Sequence, residues 1–330
     1  MFDLGKRERV GQTKLWIARV GLGTAPLGNL YEPVMEEEAI STVRKAVEVG
    51  FTHVDTAPFY GFGLSEERVG KALSAVGRDR FTLSTKVGRV LVRSGRAEAM
   101  GQSYWAVQSR MTAVFDFSAG GVKKSIEGSR RRLMLDRFEI LLLHDCDQHV
   151  EQALREAYPV LARMRDSGET DAIGAGLNSH ETALKLAREE QFDCFLLAGR
   201  YTLLEQGAMD EFLPLCHDER IGVLAGGPFN SGILASDLSP RSRYNYDRVP
   251  ADVLEKARRI KEVCDRHGVP LRAAALQFIL AHPTVTSVIP GCRSRAEVES
   301  NRRALDVRIP RALWEDLKGE GLLREDAPTP

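Results

Sequence analysis

Short apolar segments alternate with longer segments of helical period along most of this 330-residue sequence. The eight predicted strands are residues 18–24, 51–55, 81–86, 138–144, 171–177, 193–198, 221–225 and 285–289. The eight predicted helices are residues 36–49, 66–75, 121–134, 150–167, 182–188, 209–216, 253–267 and 296–303. Most of the strands are continuous apolar runs, which is typical of parallel strands covered on both faces. Eight strands that alternate with eight helices predict an α/β fold, a single (β/α)8 TIM barrel.

A doubly wound sheet is the alternative way to arrange alternating strands and helices. Sheets of that type bind dinucleotides through a G-x-G-x-x-G sequence after the first strand. Here the first predicted strand runs into GLGTAP at residues 21–26, which lacks the third glycine and contains Pro26. Residues 172–179, AIGAGLNS, lack the pattern as well. The sequence therefore favours the barrel.

Three segments lie outside the repeat, and no linker rich in Pro, Gly or Ser divides the chain, so we expect one domain over residues 1–330. Residues 1–17 contain a turn at Gly11 and predict an N-terminal hairpin that covers the bottom of the barrel. Residues 87–118 form an unusually long connection after the third strand and are a candidate lid loop. Residues 320–330 are predicted to be a C-terminal tail.

The charge balance and the absence of long apolar runs exclude several classes of protein. Lys and Arg together number 46, as do Asp and Glu, so the formal net charge is zero. A neutral chain gives no electrostatic reason to expect a nucleic-acid or anionic-membrane partner. Without a membrane span or a signal-peptide pattern, we expect a cytoplasmic protein. Five scattered cysteines favour neither a disulfide framework nor a cysteine-rich zinc site. We expect a monomer or homodimer that acts on a small molecule.

Three polar side chains fall at the carboxyl ends of predicted strands, where the active sites of such barrels lie, and a fourth lies in the loop after one of them. Asp55, Lys86 and His144 end the second, third and fourth predicted strands, and Tyr60 follows five residues after Asp55. Because adjacent strands bring their ends together, we expect Asp55 to pair with Lys86. The lysine ammonium is expected to lower the pKa of Tyr60 from its ordinary value of about 10. His144 would hold a substrate oxygen while Tyr60 transfers the proton.

Each of these residues also has a structural interpretation: a helix cap for Asp55, loop packing for Tyr60, a surface charge for Lys86 and a strand cap for His144. A metal site is a further alternative, because HDCDQH at residues 144–149 contains several possible ligands, as in metal-dependent barrel hydrolases. That segment spans a strand end and a helix start, so its side chains should diverge. We therefore expect no metal and interpret its aspartates as helix caps.

Taken together, the four residues resemble the catalytic set of the aldo-keto reductase superfamily. The likeness extends from about Arg19 to Leu305, and three segments carry it: GFTHVDTAPFYGFGLSE at residues 50–66, LSTKV at residues 83–87 and LLLHD at residues 141–145. The resemblance implies a (β/α)8 barrel that binds NAD(P) without a Rossmann domain. It also implies that Asp55, Tyr60, Lys86 and His144 form the catalytic tetrad.

The resemblance further implies a set of cofactor-binding residues: Gly23, Thr24, Asp55, Asn178, Gly227, Pro228, Phe229, Asn230, Ser231, Gly232, Gly291, Arg293, Glu297 and Asn301. Asn178 would hold the nicotinamide carboxamide. The loop at residues 226–232 either wraps the pyrophosphate with backbone N–H groups or is a plain flexible loop. Gly226 stands where many relatives carry a tyrosine that stacks on the nicotinamide, so that stacking must weaken or come from elsewhere.

The choice between NAD and NADP is predicted from the last strand and the helix that follows it. Relatives that prefer NADP pair its 2′-phosphate with Lys and Arg at the positions that Gly291 and Glu297 hold here. A carboxylate would repel that phosphate and accept a hydrogen bond from a ribose hydroxyl of NAD, so NAD is favoured. Arg293 either reaches the phosphate or faces solvent, and the sequence leaves both open.

Three more segments resemble one subgroup of the superfamily: GTAPLGNLY at residues 23–31, AGRYTLL at residues 198–204 and GGPFNSGIL at residues 226–234. This subgroup contains aldose 1-dehydrogenases acting on L-fucose and D-arabinose, L-galactose dehydrogenases and pyridoxal 4-dehydrogenase. The resemblance implies oxidation of the ring hemiacetal hydroxyl of an aldose to a lactone. We expect Tyr60, His144 and Trp105 to contact the substrate.

Alternatives to this activity remain open. They are oxidation of pyridoxal to 4-pyridoxolactone, reduction of a carbonyl or aldehyde, and a non-catalytic barrel that senses the cofactor. The intact tetrad argues against the sensor. The aromatic residues of the candidate lid, Tyr104, Trp105, Phe115 and Phe117, either cover the substrate or pack on the barrel wall. Arg200 departs from the family pattern, and the sequence assigns it no role.

Overall fold

Eight parallel strands form one sheet in a computed structural model that describes residues 2–94 and 104–330. The strands of the described residues are β1 Arg7–Arg9, β2 Trp16–Ala18, β3 Gly21–Gly23, β4 His53–Asp55, β5 Thr82–Val87, β6 Arg89–Arg93, β7 Met111–Phe115, β8 Ile140–His144, β9 Ala172–Leu177, β10 Cys194–Ala198, β11 Gly222–Gly226, β12 Arg243–Tyr244, β13 Asp247–Arg248 and β14 Val285–Ile289. The large sheet has the order β14-β11-β10-β9-β8-β5-β4-β3. Parallel bridges from Val20 to Val288 and from Gly23 to Gly291 bring its two edges together, which confirms the predicted barrel.

Helices surround the sheet. Those of the described residues are α1 Glu36–Glu48, α2 Leu64–Leu73, α3 Ala119–Leu133, α4 Val150–Gln152, α5 Tyr158–Asp166, α6 His180–Glu189, α7 Phe212–Asp218, α8 Ala251–Arg266, α9 Leu271–Ala281, α10 Arg295–Ala304 and α11 Arg311–Gly319. A π-helical turn, Ala153–Ala157, joins α4 to α5. Ser118, Ser179 and Ser294 cap α3, α6 and α10, because each serine hydroxyl accepts a backbone N–H of the first turn. The sequence did not predict α9 and α11.

The bottom of the barrel is closed by the hairpin of β1 and β2. Its strands pair from Arg7 with Ala18 to Arg9 with Trp16. Val10, Leu15 and Ile17 are buried in one apolar cluster whose other members come from the barrel strands, namely Ile140, Leu142, Ala172, Cys194, Leu196, Leu224 and Ile289. A β-carbon at Gly11 would lie 2.3 Å from the carbonyl oxygen of Asp193, so only glycine allows this close approach.

The long connection after β5 is folded as an antiparallel hairpin and not as a plain loop. Its strands β6 and β7 pair from Arg89 with Phe115 to Arg93 with Met111. Residues 95–103, the middle of the candidate lid, lie outside the described residues. Phe117 is fully buried in the main core against Gly88, so this aromatic packs on the barrel wall.

The predicted tail after α11 packs against the barrel's helices. Leu322, Leu323 and Ala327 are buried, and Arg324 forms an ion pair with Asp210. All five cysteines are buried free thiols. No helix among the described residues combines the length and the apolar character needed to cross a bilayer.

Candidate active site

Three of the four predicted catalytic side chains, Tyr60, Lys86 and His144, line one cavity of about 420 Å³ at the carboxyl ends of the barrel strands, and Asp55 contacts Lys86 beside it. Asp55 ends β4, Lys86 lies near the end of β5 and His144 ends β8. Tyr60 reaches them from a turn between β4 and α2, in which its N–H donates to the carbonyl of Ala57. The structure therefore brings together side chains that are distant in the sequence.

Lys86 is the centre of this group. Its Nζ lies 2.7 Å from Asp55 Oδ2 and 2.9 Å from the Tyr60 hydroxyl, and it also donates to the carbonyl of Thr56 at 2.9 Å. Lys86 and Asp55 are only 1% and 3% exposed, so their charges are stabilised mainly by each other. All three donor sites of the ammonium are used, and this fixes its position beneath the phenol.

Asp55 is held from its other side by two residues that the sequence analysis missed. Ser84 donates to Asp55 Oδ1 at 2.7 Å, and the ring of His53 lies 3.3 Å from the Ser84 hydroxyl. A sequence signal exists, because each of the two precedes a predicted site residue by two positions and therefore points to the same side of its strand. Burial, followed by the charge of Lys86, lowers the pKa of His53 to about 3, so its ring is neutral.

The pKa of Tyr60 corrects the expectation that Lys86 would lower it. Burial raises the pKa of Tyr60 well above its ordinary value, and the negative charges of Asp55 and Asp145 raise it further. Arg89 opposes this effect without overcoming it. The expectation neglected desolvation, which penalises the charged phenolate. Tyr60 is therefore a neutral phenol in the free protein.

His144 is neutral as well. Burial lowers its pKa well below the ordinary value, and the positive charges of Arg89 and Lys86 act in the same direction. Its ring packs edge-on against Tyr60, with 5.8 Å between the ring centroids. A neutral imidazole has one N–H donor and can hold a substrate oxygen without bringing a charge into the cavity.

Next to His144 lies a charge pair that the sequence analysis did not identify. Arg89 Nη2 donates to Asp145 Oδ2 at 2.7 Å, and Asn178 Nδ2 donates to Asp145 Oδ1 at 3.0 Å. Arg200, which had no predicted role, donates through Nε to the carbonyl of Asn178 at 2.6 Å. No local pattern signals the pair, because Arg89 and Asp145 are 56 residues apart.

The segment that suggested a metal site does not converge. His149 packs against Phe115 and Phe117, with ring centroids 4.9 and 5.8 Å away, whereas His144 faces the cavity. Within residues 2–94 and 104–330, no group of three or more His, Cys, Asp or Glu side chains is arranged to hold a metal ion.

Aromatic side chains form one wall of the cavity. Trp105 lies 5.6 Å from Phe59 and 6.0 Å from Tyr60, measured between ring centroids, and it is nearly buried. Tyr104 stacks on Tyr246 at 5.4 Å. Tyr246 belongs to the turn between β12 and β13, so this stack joins the candidate lid to a second hairpin across the mouth of the barrel.

A second groove, of about 460 Å³, adjoins the cavity and shares Tyr60, Asn178 and Tyr246 with it. It is lined by all but one of the residues that the resemblance connected with the cofactor: Gly23, Thr24, Asp55, Asn178, Gly227, Pro228, Phe229, Asn230, Ser231, Gly232, Gly291, Arg293 and Glu297. The exception is Asn301, which is fully buried and accepts a hydrogen bond from Arg272 at 2.6 Å.

The loop after β11 is shaped by unusual backbone angles. Gly227, Asn230, Ser231 and Gly232 all have positive φ values, between 45° and 100°. Asn230 keeps this shape, because its side chain donates to the carbonyl of Gly199 at 3.0 Å and accepts from Thr202 at 2.6 Å. These bonds hold the loop in a shape in which Gly227 and Gly232 line the groove.

Gly226 itself has little room for a larger residue. A β-carbon there would lie 2.9 Å from a methyl group of Leu196, so the tyrosine of other relatives could enter only if Leu196 moved. Tyr246 is an aromatic side chain that lines both the cavity and the groove, and it lies in a part of the sequence where none was expected to act.

At the far end of the groove, two carboxylates pair with Arg293, the residue that was considered as a ligand of the 2′-phosphate of NADP. Arg293 Nη1 lies 2.6 Å from Glu32 Oε2, and its Nε lies 3.4 Å from Glu297 Oε1. The backbone N–H of Arg293 also donates to Glu297 at 2.9 Å. Its charge is therefore balanced by two acidic residues that line the same groove.

Known proteins match this chain over nearly its whole length. The model of the Aldo/keto reductase family matches residues 19–319. A D-threo-aldose 1-dehydrogenase of a Pseudomonas species is 38% identical over 321 residues, which cover 96% of each chain. A pyridoxal 4-dehydrogenase of Microbacterium luteolum is 33% identical over 336 residues, covering 96% of this chain and 98% of the relative. An L-galactose dehydrogenase of Arabidopsis thaliana is 30% identical, covering 90% and 86%.

Solved structures share the fold. The holo form of an aldo-keto reductase from Bacillus halodurans superimposes with a TM-score of 0.77 at 23% identity, covering 97% of this chain and 96% of the other. A glycerol dehydrogenase from Gluconobacter oxydans gives a TM-score of 0.73 at 21% identity, covering 98% and 97%. At these identities the likeness concerns the barrel alone.

Proposed function

This chain belongs to the aldo/keto reductase family and is an oxidoreductase that uses NAD(P), and we propose that it oxidises the ring hemiacetal hydroxyl of an aldose to a lactone. Two relatives whose names describe sugar dehydrogenases support this substrate class. The proposed substrates are of the L-fucose, D-arabinose and L-galactose type. The reaction removes one C–H hydrogen as hydride and one O–H hydrogen as a proton, and it leaves a carbonyl group.

Polar side chains that line one cavity beside an aromatic wall are the observation that carries the proposal. Tyr60, His144 and Asp145 all line it, so groups that can form hydrogen bonds with several hydroxyls surround the proton carrier. A sugar offers an oxygen on nearly every carbon, and its apolar ring faces suit the aromatic wall at Trp105 and Phe59.

In the proposed mechanism, the residues of this chain handle the proton. His144 holds the hemiacetal oxygen beside the Tyr60 hydroxyl, and Tyr60 in its phenolate form takes the proton from that oxygen. Lys86, 2.9 Å from the phenol oxygen, stabilises the phenolate, and Asp55 keeps the lysine in place. NAD(P)+, when bound, supplies the acceptor for the hydride. In the reverse direction the neutral phenol donates its proton to a carbonyl oxygen.

We propose NAD as the preferred cofactor. Glu32 and Glu297 lie at the end of the groove where a 2′-phosphate would sit, and both already pair with Arg293. A phosphate bound by Arg293 would lie beside both carboxylates, which would repel it. The ribose hydroxyls of NAD would instead donate hydrogen bonds to the same carboxylates. Asn178 would hold the nicotinamide carboxamide, because it lies where the groove meets the cavity.

Pyridoxal is the second candidate substrate. The aromatic wall at Trp105, Tyr104 and Phe59 fits a flat pyridine ring, and a relative named pyridoxal 4-dehydrogenase is 33% identical. Pyridoxal also forms a cyclic hemiacetal, so the same proton transfer would yield its lactone.

A substrate panel tests the proposal. The purified protein is incubated with free aldoses, pyridoxal and simple aldehydes, each with NAD+, NADP+ or the reduced forms, and nicotinamide absorbance is followed. We expect NAD+ reduction with aldoses and a lactone as the product. Turnover with pyridoxal alone would favour the second candidate. Turnover only with aldehydes and a reduced cofactor would indicate a carbonyl reductase. Cofactor binding without any turnover would indicate a sensor.

A further inference from the structure

The carboxylate of Asp145 lies beside the catalytic imidazole without belonging to the tetrad. Its Oδ2 is 3.6 Å from His144 Nε2, and the residue lines the substrate cavity. Its backbone has a φ of 45°, a conformation that few residues other than glycine adopt. The chain therefore turns sharply just after β8, and this turn places the carboxylate at the wall of the cavity.

Arg89 fixes the carboxylate in a single orientation. Its guanidinium lies 4.2 Å above the ring of Phe59 and 4.7 Å from the ring of Phe115, and it donates to Asp145 Oδ2 at 2.7 Å. A guanidinium stacked on aromatic rings loses little freedom when it forms this bond. Asn178 Nδ2 donates to Asp145 Oδ1 and so occupies one of its lone-pair positions. A carboxylate has about four lone-pair positions, so about two remain for a ligand.

Resting on the proposed function, we infer that Asp145 recognises the hydroxyl group on the carbon next to the reacting carbon, with Arg89 as its positioning residue. His144 and Asp145 present a donor and an acceptor only 3.6 Å apart. Oxygens on adjacent ring carbons lie about one hydrogen-bond length apart, so two such oxygens can meet both groups at once. The ligand chemistry is therefore a vicinal hydroxyl pair, the reacting oxygen at His144 and its neighbour at Asp145.

An ion pair that only fastened the β6–β7 hairpin to the barrel would have different consequences. Such a pair would contribute to stability and would affect all substrates equally. Recognition of a hydroxyl affects only substrates that have one at that position. Loss of a hydrogen bond to a charged group lowers kcat/KM about 10- to 100-fold, which corresponds to about 1.4–2.7 kcal/mol.

The test compares paired substrates. An aldose and its 2-deoxy analogue are oxidised with NAD+, and 2-hydroxypropanal and propanal are reduced with NADH, by the wild type and by Asp145→Asn, Arg89→Lys and Arg89→Met. We expect Asp145→Asn to lower kcat/KM about 10- to 100-fold for each hydroxylated substrate and less than about threefold for its deoxy partner. Arg89→Met should act in the same sense, and Arg89→Lys should restore part of the preference.

Asp171→Asn is the matched control, because it breaks the 2.7 Å pair with Arg137 away from the cavity. It should leave the ratio between hydroxylated and deoxy substrates unchanged. Thermal unfolding of each variant shows whether a loss reflects folding. Equal losses on both members of a pair, or a wild type without preference, would overturn the inference. If the wild type oxidises no aldose but Asp145 still controls the preference for 2-hydroxypropanal, the proposed function fails and the inference stands.

Discussion

The two ends of the barrel are built from the same strands but in opposite ways. At the bottom, Val10, Leu15 and Ile17 of the β1–β2 hairpin fill the interior with apolar side chains. At the top, Lys86 and Asp55 carry buried charges. The bottom gains free energy from burial, whereas the top keeps ionised groups in a place where water would solvate them better.

This difference shows how one scaffold separates stability from chemistry. Charges at the top are tolerated because each has a partner, as Lys86 has Asp55 and Arg89 has Asp145. The polar side chains that the proposed reaction uses, Tyr60 and His144, line the cavity. Substitutions at the top should therefore change the reaction rate, and substitutions at the bottom should change the free energy of unfolding.

The largest expected effect is at the top. Tyr60→Phe removes the proton carrier and almost no volume, so the rate of oxidation should fall by about 10²- to 10⁴-fold while cofactor binding stays near that of the wild type. Steady-state kinetics and a fluorescence titration with NADH measure the two quantities. Tyr158→Phe is the control, because that hydroxyl bonds to the carbonyl of Gln191 outside the site. Full turnover by Tyr60→Phe would show that another group moves the proton.

The second-largest expected effect is a loss of stability at the bottom of the barrel. Ile17→Ala removes a fully buried side chain from the apolar cluster and should lower the free energy of unfolding by about 2–5 kcal/mol, with kcat/KM unchanged within about twofold. Denaturant unfolding and kinetics at low temperature measure both. Trp16→Ala on the opposite face of β2, where the side chain is 51% exposed, should cost far less. A large loss of kcat/KM in folded Ile17→Ala would show that the two ends are coupled.

A smaller effect is expected in the pH dependence of oxidation, which the Tyr60 phenol at the top of the barrel controls. Because the pKa of Tyr60 is raised above about 10, the phenolate fraction stays small up to pH 9 and increases about tenfold per pH unit. We therefore expect kcat/KM for oxidation to rise from pH 7 to pH 9 by up to that factor per unit, without a plateau. Reduction, which uses the neutral phenol, should show no such rise. A plateau in the oxidation profile between pH 7 and pH 8 would contradict the raised pKa.

The smallest expected effect is on cofactor preference, at the far end of the groove that adjoins the cavity. Glu297→Arg should shift the ratio of kcat/KM for NADP+ over NAD+ by about tenfold toward NADP+, which is about 1.4 kcal/mol, because it replaces a repelling charge with an attracting one. Glu299→Arg on the same helix is the control, since Glu299 pairs with Lys45 outside the groove. A wild type that favours NADP+ tenfold or more would reverse the assignment and make Arg293 the phosphate ligand.

Local patterns in the sequence were sufficient for the barrel and for the placement of the tetrad. The strands are apolar runs between turn residues, and Asp55, Lys86 and His144 follow from the position of the strand ends. α9 was missed because eight of its eleven residues are buried, so no polar face marks a helical period. The pairing of β6 with β7 was missed because residues 94–110 separate the two strands in the sequence, far more than the about two to five residues of a common hairpin loop.

Contacts between distant residues lay beyond such patterns. The Arg89–Asp145 pair depends on a sharp turn after β8 and on a hairpin 56 residues earlier. The direction of the pKa shift of Tyr60 depends on how completely the fold removes water from the phenol, and the sequence alone does not give this degree of burial. Asn301 was expected to line the groove because of its motif, yet it is fully buried and accepts a hydrogen bond from Arg272, which lines the groove in its place.

The closure of the barrel also has a consequence for the order in which the chain can fold. Arg19, just after the bottom hairpin, donates to the carbonyl of Leu280, which lies 261 residues further along, and Val20 bridges to Val288 in the last strand. The hairpin therefore has no complete binding surface until β14 has been synthesised. Contacts of such long sequence separation make folding slow, because the entropy of loop closure is lost before they form. We expect β1 and β2 to dock late, as the final step that seals a barrel already assembled.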